Sequence, residues 1–359
     1  MIKLLDCTLR DGGYINNWEF GEASIVDMIQ KLESTNVDIL EFGFLKNEPY
    51  NRNRAVFNDM KQISALIPNK NPGIEYAVMI EVVNPIPLEM LAERSEDSVD
   101  IIRVIVWKTK YNEKGVVIDA LQEGFEYCKG IVDRGYKLCV QPARVDQYSD
   151  DEFVEMVRMF QTLNPLAIYV VDSWGTQNAE QVMHFVELAD RNLMSGISIG
   201  YHGHNNLMQT FGTAIEFANA KINRDIIIDA SVYGIGRGAG NLNLELFAKF
   251  LNDCRGKDYI LTPMIDIYEK YIKDIFAKHE WGYSIPYYLT AQYNCNPNYG
   301  EYLGMEKGVS PSVIDKVLAS LTEEDKVLYS KKKAELYLEK VLRDNIMEEE
   351  QNARNIKNT

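Results

Sequence analysis

Short runs of apolar and β-branched residues recur along the first two thirds of the chain. The apolar residues in each run are nearly continuous rather than alternating with polar ones, which is typical of strands buried on both faces of a parallel sheet. We predict eight strands of this kind, at residues 2–5, 39–44, 76–82, 101–107, 137–141, 167–171, 197–201 and 226–230.

Several of the intervening segments place apolar residues at the spacing of one helix face. The pattern i, i+3, i+4, i+7 begins at Ile25, Phe153, Val182, Met208 and Leu244, and a helix with such a face packs it against a sheet. Strands that alternate with helices over residues 1–255 predict a (β/α)8 TIM barrel, whose usual size is about 250 residues. An open, doubly wound sheet is the alternative that this pattern leaves open.

After residue 255 the strand signal stops, and a helical pattern begins near Met264. We predict a C-terminal helical extension over residues 256–347, interrupted by an aromatic, Asn- and Pro-rich stretch at 281–302. The last stretch, 348–359, contains almost no apolar side chains. For these residues we predict a polar, disordered tail.

The composition argues against nucleic-acid binding, membrane association and a disulfide-bonded structure. The chain has 53 Asp and Glu against 38 Lys and Arg, a formal net charge of −15 that repels phosphate backbones and anionic lipid. No run approaches the roughly 20 apolar residues of a membrane helix. The five cysteines are scattered and contain no C-x-x-C pair, which argues against disulfides and thiolate zinc sites. We expect a cytoplasmic protein with no nucleic-acid or membrane partner.

Candidate chemistry is concentrated at the carboxyl ends of the predicted strands. His202 and His204 follow the seventh run, and side chains at i and i+2 in an extended segment point to the same face. Arg10 and Asp11 follow the first run, where burial of either charge requires a partner such as a metal ion or an anionic substrate. Asp11 with the two histidines predicts a mixed N/O site for a catalytic divalent ion. Hydrogen-bonded histidines and a structural Arg10–Asp11 ion pair are the alternatives.

These stretches resemble the DRE-TIM metallolyases (HMGL-like), and most closely their 4-hydroxy-2-oxoacid aldolase branch. The family's marks are Asp-x-Thr-Leu-Arg-Asp-Gly on the first strand, Glu-x-Gly-Phe on the second and His-x-His-Asn on the seventh. They stand here at residues 6–12, 41–44 and 202–205. A glycine-rich turn at 236–241 resembles the family's segment after the eighth strand. The order and separation of the motifs match over residues 1–255.

The resemblance implies a reaction and a set of roles. Asp11, His202 and His204 would bind a divalent ion, expected to be Mn²⁺ or Mg²⁺ with Zn²⁺ or Co²⁺ as alternatives. Asn241 would be a further ligand or a near neighbour. Arg10 would neutralise the enolate oxygen that forms when a carbon–carbon bond next to a 2-oxoacid carbonyl is cleaved or made. The implied substrates are a small 2-oxoacid, with a pyruvate enolate as intermediate, and an aldehyde.

One position departs from the family. Hydroxy-oxovalerate aldolases carry an acid/base histidine in the loop after Arg-Asp-Gly, and Tyr14 stands at the matching position here. A phenol is a poor base at neutral pH because its ordinary pKa is about 10. Tyr14 is therefore a candidate catalytic residue that replaces the family's base, and Glu41 is a second candidate. Further candidates for the base or for substrate contact, each with a structural alternative, are Lys108, Arg144, Asp172 and Ser173.

The same resemblance implies a C-terminal region that contributes a tyrosine to the site and docks an aldehyde dehydrogenase. Tyr293 and Tyr299 match that tyrosine loosely. The dehydrogenase partner is an expectation of the resemblance, and a homo-oligomer is a further expectation.

Three other interpretations stay open. Residues 234–239 satisfy G-x-G-x-x-A, the dinucleotide-binding fingerprint, although no further strand signal follows the next helix. Within the superfamily, a Claisen-type acyltransferase of the isopropylmalate synthase kind would use the same metal site. A barrel that has lost activity through the Tyr14 change would instead act as a binding module.

Overall fold

The structure, a computed structural model, describes residues 1–111 and 117–357. Within these residues, parallel strands form a barrel in this order: β1 (Ile2–Asp6), β2 (Ile39–Leu45), β3 (Glu75–Glu81), β4 (Ile101–Val106), β5 (Lys137–Pro142), β6 (Ala167–Asp172), β7 (Ser198–Gly203) and β8 (Ile226–Ala230). Each strand pairs with its sequence neighbours, and β1 also pairs with β8, which closes the ring. The TIM-barrel prediction is confirmed, and the open sheet is excluded.

Helices cover the outside of the barrel, as the periodicity predicted. They span Glu22–Glu33, Met60–Ser64, Leu121–Asp133, Asp150–Phe160, Ala179–Asn192, Thr210–Asn219 and Leu244–Arg255. The connection from β3 to β4 differs, because its described helical element is a 3-10 turn, Leu88–Met90. Short helical turns also occupy Thr8–Asp11, Gly13–Asn16, Val145–Gln147, Gln161–Leu163 and Val232–Gly234, and short strands lie at Val56–Phe57, Thr109–Tyr111 and Val117–Asp119.

The helix Thr210–Asn219 presents a different face to the barrel from the one predicted. The pattern that begins at Met208 would bury Met208 and Phe211, but both side chains are exposed. The buried face instead consists of Thr210, Thr213, Ala214 and Phe217. Met208 lies before the helix begins, and Phe217 packs edge-on against the Tyr201 ring of β7.

The chain continues as a set of C-terminal helices. The described segments are Thr262–Ile267, Tyr268–Ile272, Lys273–Phe276, Ile285–Gln292, Asn298–Gly300, Glu301–Glu306, Pro311–Ser320, Glu323–Val327 and Lys331–Lys357. Met264, Ile272 and Trp281 belong to the barrel core, whereas a second core extends from Leu289 to Val341. The helical extension is present, and the unit boundary at residue 255 stays a prediction. In the part of the chain that is described, no helix has the length and apolar character required to cross a bilayer.

The last helix, Lys331–Lys357, includes most of the stretch predicted to be a disordered tail. The structure thus differs from that prediction over residues 348–357, while 358–359 lie outside the described residues. Ala334 and Val341 anchor the helix in the second core. Beyond that anchor, ten of the sixteen residues at 342–357 are Leu, Met, Glu, Gln, Ala, Arg or Lys, which are strong helix formers, so an established helix can continue.

Candidate active site

The carboxyl ends of β1 and β7 bring together the three residues expected to bind a metal ion. Asp11 ends the short helix after β1, His202 lies in β7, and His204 follows β7 directly. One donor atom from each residue lies within 4.8 Å of the donor atoms of the other two, and all three side chains are buried. The closed ring permits this approach because β8 pairs with both β1 and β7.

One nitrogen of each imidazole already has a polar neighbour. Nδ1 of His202 lies 3.0 Å from Oδ2 of Asp229, on β8, and Nδ1 of His204 lies 3.1 Å from the backbone oxygen of Arg237. A carboxylate or carbonyl at such a position orients the imidazole in many metal sites. The contact of His202 does not meet hydrogen-bond geometry among the described residues, and Nδ1 of His204 also lies 3.9 Å from Oδ2 of Asp11. Burial lowers the pKa of His204 to about 3 although Asp11 opposes the shift, so the ring is neutral, as metal binding requires.

Asn241 completes this group of polar side chains. Its Nδ2 donates to Oδ2 of Asp11 at 2.6 Å and to the backbone oxygen of Ile235 at 3.1 Å. Its buried Oδ1 has no hydrogen-bond partner in the described part of the chain, and such an atom costs about 1–3 kcal/mol when it stays unsatisfied. A carboxylate, two imidazoles and a free amide oxygen fit a divalent cation.

A glycine keeps this site open. A Cβ placed on Gly236 would lie 2.3 Å from Nδ2 of Asn241 and 2.6 Å from Oδ2 of Asp11. Any larger residue would have to displace one of these two side chains. The glycine-rich turn after β8 therefore leaves room for the side chains of the site. This role explains why the turn contains the glycines that also match the dinucleotide-binding fingerprint.

A buried network of charges surrounds the cluster. Arg10 donates from Nη1 to Asp11 at 2.5 Å and from Nε to Glu41 at 2.9 Å. Arg103 donates to Glu41 at 2.7 Å and also to Asp229. Burial raises the pKa of Asp11 and of Asp229, but the adjacent guanidinium groups outweigh it and hold both below their usual range. Two guanidinium groups against three carboxylates leave one formal negative charge, which favours a bound cation.

A cavity of about 90 Å³ lies beside the cluster, enough for roughly three water molecules at the density of the liquid. The candidate ligands Asp11, His202 and His204 line it together with Arg10. Nη2 of Arg10 has no hydrogen-bond partner among the described residues. The cavity therefore combines a candidate cation site with a guanidinium group that still has a hydrogen to donate.

The comparison with protein families agrees with this geometry. The family model described as HMGL-like matches residues 1–269, which include the whole barrel and every residue of the cluster. The chain belongs to the HMGL-like family.

Named relatives of this HMGL-like protein are distant. It is 24% identical over 274 residues to the 4-hydroxy-2-oxovalerate aldolase of Bacillus cereus, covering 75% of each chain. It is 25% identical over 247 residues to the oxaloacetate decarboxylase of Mycobacterium tuberculosis, covering 67% of each. The family and its named aldolases make the protein a lyase. The crystal structure of an N-terminal domain from Bacteroides vulgatus shares the fold, with a TM-score of 0.67, 22% identity and coverage of 83% of this chain and 95% of that one.

Of the four residues named as further candidates for the base or for substrate contact, Ser173 lines the cavity. Its Oγ accepts a hydrogen bond from the backbone N–H of Arg144 at 3.0 Å, so its own hydroxyl hydrogen remains available. Asp172 does not line the cavity. Its carboxylate accepts from the backbone N–H groups of Thr176 at 3.0 Å and Gln177 at 3.3 Å and closes the turn after β6.

Arg144 and Lys108 also lie outside the cavity wall. The Arg144 guanidinium pairs with Asp146 at 2.6 Å and stacks on the Trp174 ring, with Cζ 3.2 Å from the ring centroid. Lys108 pairs with Glu152 at 2.6 Å. Both positively charged side chains thus form contacts with neighbouring side chains, as expected if their role is structural.

Tyr14 and Glu41 occupy different positions relative to the cavity. Tyr14 lines it although the residue as a whole is 37% exposed, and desolvation of its hydroxyl together with Glu81 and Asp11 raises the pKa of the phenol above its ordinary value. The hydroxyl therefore stays protonated at neutral pH and donates rather than accepts a proton. Glu41 is fully buried, and its Oε2 accepts from both Arg10 and Arg103, so it positions guanidinium groups.

Three polar residues of the cavity wall were not predicted as site residues: Glu81, Gln141 and Arg237. Gln141 is 3% exposed and its Nε2 has no partner among the residues described. Glu81 is the last residue of β3, and Gln141 lies next to the end of β5. The sequence does contain a signal for Glu81 and Gln141: each is a polar residue at the end of an apolar run. In a barrel, such residues lie at the carboxyl ends of the strands, where the site is.

The tyrosines of the C-terminal unit stay outside the cavity. Tyr293 donates to Asp315 at 2.8 Å, and Tyr299 is buried and donates to the backbone oxygen of Asp325 at 2.7 Å. The unit reaches the site through Arg237 instead. Nη2 of Arg237 donates to Oδ1 of Asn296 at 2.9 Å and to Oδ1 of Asn298 at 3.2 Å.

Proposed function

We propose that the protein is a divalent-metal-dependent aldolase that cleaves or forms the carbon–carbon bond next to a 2-oxoacid carbonyl through a pyruvate-type enolate. One observation carries the proposal. Arg10, whose Nη2 lacks a partner among the described residues, lines the same small cavity as Asp11, His202 and His204. The named aldolases among the relatives support this choice of reaction.

Asp11, His202 and His204 would hold the ion, and Asn241 would offer its unpartnered amide oxygen. A bound divalent ion supplies a Lewis acid for the carbonyl oxygen of the oxoacid. Oxygen and imidazole donors without a thiolate suit Mn²⁺ or Mg²⁺, and Zn²⁺ and Co²⁺ accept the same donors. We propose Mn²⁺ or Mg²⁺ as the ion.

Arg10 stabilises the negative charge of the enolate. Its guanidinium is buried and fixed by Asp11 and Glu41, so little reorganisation is needed when charge develops on the oxygen. A guanidinium group also keeps its proton at every physiological pH. Ser173 and Gln141 carry free donor hydrogens in the same cavity and would bind the carboxylate of the oxoacid.

Proton transfer from the substrate hydroxyl needs a base other than Tyr14. Glu81 is the carboxylate of the cavity wall that forms no ion pair within the described residues, and it accepts a hydrogen bond from Nε1 of Trp107 at 3.2 Å. We assign the proton transfer to Glu81, with Tyr14 as a hydrogen-bond donor beside it. In this assignment Glu81→Gln slows 4-hydroxy-2-oxoacid cleavage by a factor of about 100 or more and leaves the metal content unchanged.

Exchange of the C3 protons of pyruvate into deuterated water, followed by NMR, tests enolate formation without knowledge of the aldehyde. We expect exchange that depends on the divalent ion. Arg10→Lys should slow it about 100-fold at unchanged metal content, because the fixed fork of donors is lost. Arg158→Lys, on the exposed face of the helix Asp150–Phe160, is the matched control and should exchange like the wild type.

The competing functions give different outcomes in the same assay. No exchange with any of the four ions, together with no cleavage of 4-hydroxy-2-oxoacids, would contradict the aldolase and favour the binding module. Release of free thiol from acetyl-CoA with a 2-oxoacid acceptor would favour the Claisen-type acyltransferase. Faster turnover of oxaloacetate than of any 4-hydroxy-2-oxoacid would point to decarboxylation through the same enolate.

A further inference from the structure

A second and larger cavity adjoins the first. It has a volume of about 1010 Å³ and lies between the carboxyl end of the barrel and the C-terminal unit. We call it the vestibule. Five side chains line both cavities and form the neck between them: Tyr14, Glu81, Trp107, Trp174 and Arg237. A ligand that begins at the candidate metal centre can therefore extend through the neck into the vestibule.

The walls of the vestibule carry apolar side chains on both sides, beside polar ones that include Lys110 and Glu301. Ile15 and Val83 line it from the barrel, and Tyr287, Val327 and Leu328 line it from the C-terminal unit. Three of the five neck residues are aromatic. Apolar walls of this kind recognise a ligand by the apolar area it buries rather than by charge.

The charged side chains that line the vestibule occur in equal numbers of each sign: Glu81 and Arg237 at the neck, and Glu301 and Lys110 beyond it. Glu81 contributes one carboxylate and Arg237 one guanidinium group, and Arg237 is held by the uncharged amides of Asn296 and Asn298. A charged substituent would be attracted by one of the two neck charges and repelled by the other. An uncharged substituent meets no such conflict and gains the apolar contacts beyond the neck.

We propose that the vestibule binds the substituent of the aldehyde half of the substrate, and that the preferred aldehyde is large, uncharged and mainly apolar rather than acetaldehyde. This inference rests on the proposed aldolase function. In the synthetic direction the new bond joins C3 of pyruvate to the aldehyde carbon, and the C3 proton is replaced while the aldehyde oxygen gains one. No other reactant enters. The oxoacid half occupies the small cavity, so a longer substituent leaves through the neck.

A series of unbranched aldehydes from acetaldehyde to octanal, condensed with pyruvate by the metal-loaded protein, tests the inference. Each methylene that enters apolar surroundings is expected to raise kcat/KM by up to about fourfold. We expect hexanal to exceed acetaldehyde at least tenfold. A flat or falling series, in protein that exchanges pyruvate C3 protons, would overturn the vestibule inference and leave the aldolase intact. Failure of that exchange would instead remove the proposed function and this inference together.

Substitutions that fill the vestibule test the same inference from the side of the protein. Leu328→Trp should lower the ratio of kcat/KM for hexanal to that for acetaldehyde at least fivefold. Leu336→Trp makes the same change at a side chain that is 61% exposed on the last helix, and its ratio should equal that of the wild type. Ile15→Trp fills the cavity from the barrel side if Leu328→Trp does not fold. An unchanged ratio in a folded filling variant would contradict the proposal.

Discussion

The chemistry of the site depends on how its charged side chains fix one another's positions. Arg10 would move freely on a surface, but Asp11 and Glu41 hold two of its three nitrogens and leave Nη2 for a ligand. Glu41 in turn is held by Arg103. Each charged group is thus fixed by another, so the donor that stabilises an enolate has its direction before the substrate arrives.

At this scale we predict that His202→Ala loses the metal ion and keeps the fold. Removal of one of two imidazoles leaves too few donors for tight binding, and the buried position adjoins Asp229 rather than the apolar core. Elemental analysis of the purified variant should show less than a tenth of the wild-type metal. His184→Ala is the control, since His184 is half-exposed and pairs with Asp150 far from the cluster. Equal metal in both variants would refute the ligand assignment.

Residue spacing was sufficient to pair the two histidines, and the expected barrel placed Asp11 near them, but neither predicted the roles of the neighbouring residues. Two histidines at i and i+2 in a strand share a face whatever the surroundings, so the prediction needed only the strand. The role of Asp172 depends on the path of the following turn, which delivers the N–H groups of Thr176 and Gln177 to its carboxylate. The free Nε2 of Gln141 likewise follows from the absence of a neighbour, which no local pattern encodes.

At the scale of elements, the strands were predictable because both faces of each are buried. Their residues must then be apolar almost without interruption, and the pattern marks the strand ends closely. The helices carry a weaker signal. When a helix has small residues as well as large apolar ones, its sequence is compatible with more than one buried face. The helix Thr210–Asn219 shows this, with Thr213 and Ala214 buried and Phe211 exposed.

The loop that contains Asn296 ties the C-terminal unit to the barrel. Its side chain accepts from Arg237 at 2.9 Å and donates to the backbone oxygen of Val327 at 3.3 Å. We predict that Asn296→Ala lowers the free energy of unfolding by about 1.5–3 kcal/mol, the usual value for a hydrogen bond to a charged group. Amide hydrogen exchange should become faster in the second core than in the barrel.

Asn345→Ala is the control for that variant. Asn345 also accepts a hydrogen bond from a cation, Lys316, but on the exposed surface of the last helix. Its removal should change the free energy of unfolding by no more than about 0.5 kcal/mol. Uniformly faster exchange in barrel and C-terminal unit after Asn296→Ala would show that the two unfold as one unit, contrary to the prediction.

For the whole molecule, the charge balance links stability to the metal ion. The chain carries a net charge of −15, and the buried network adds an uncompensated carboxylate at the end of the barrel. Without a cation, Asp11 has Arg10 as its ion-pair partner within 4.0 Å, and it shares that guanidinium with Glu41. A divalent ion that binds the folded chain and not the unfolded one must therefore stabilise the fold.

We predict that saturating Mn²⁺ raises the melting temperature of the metal-free protein. At an ion concentration 100 times the dissociation constant, the gain in the free energy of unfolding is about 2.7 kcal/mol, or a shift of several degrees for a domain of this size. His202→Ala should lose the shift, and His184→Ala should retain it. A similar shift in both variants would mean that the ion stabilises the molecule through its acidic surface, and the cluster of Asp11 with two histidines would then not be the binding site that matters for stability.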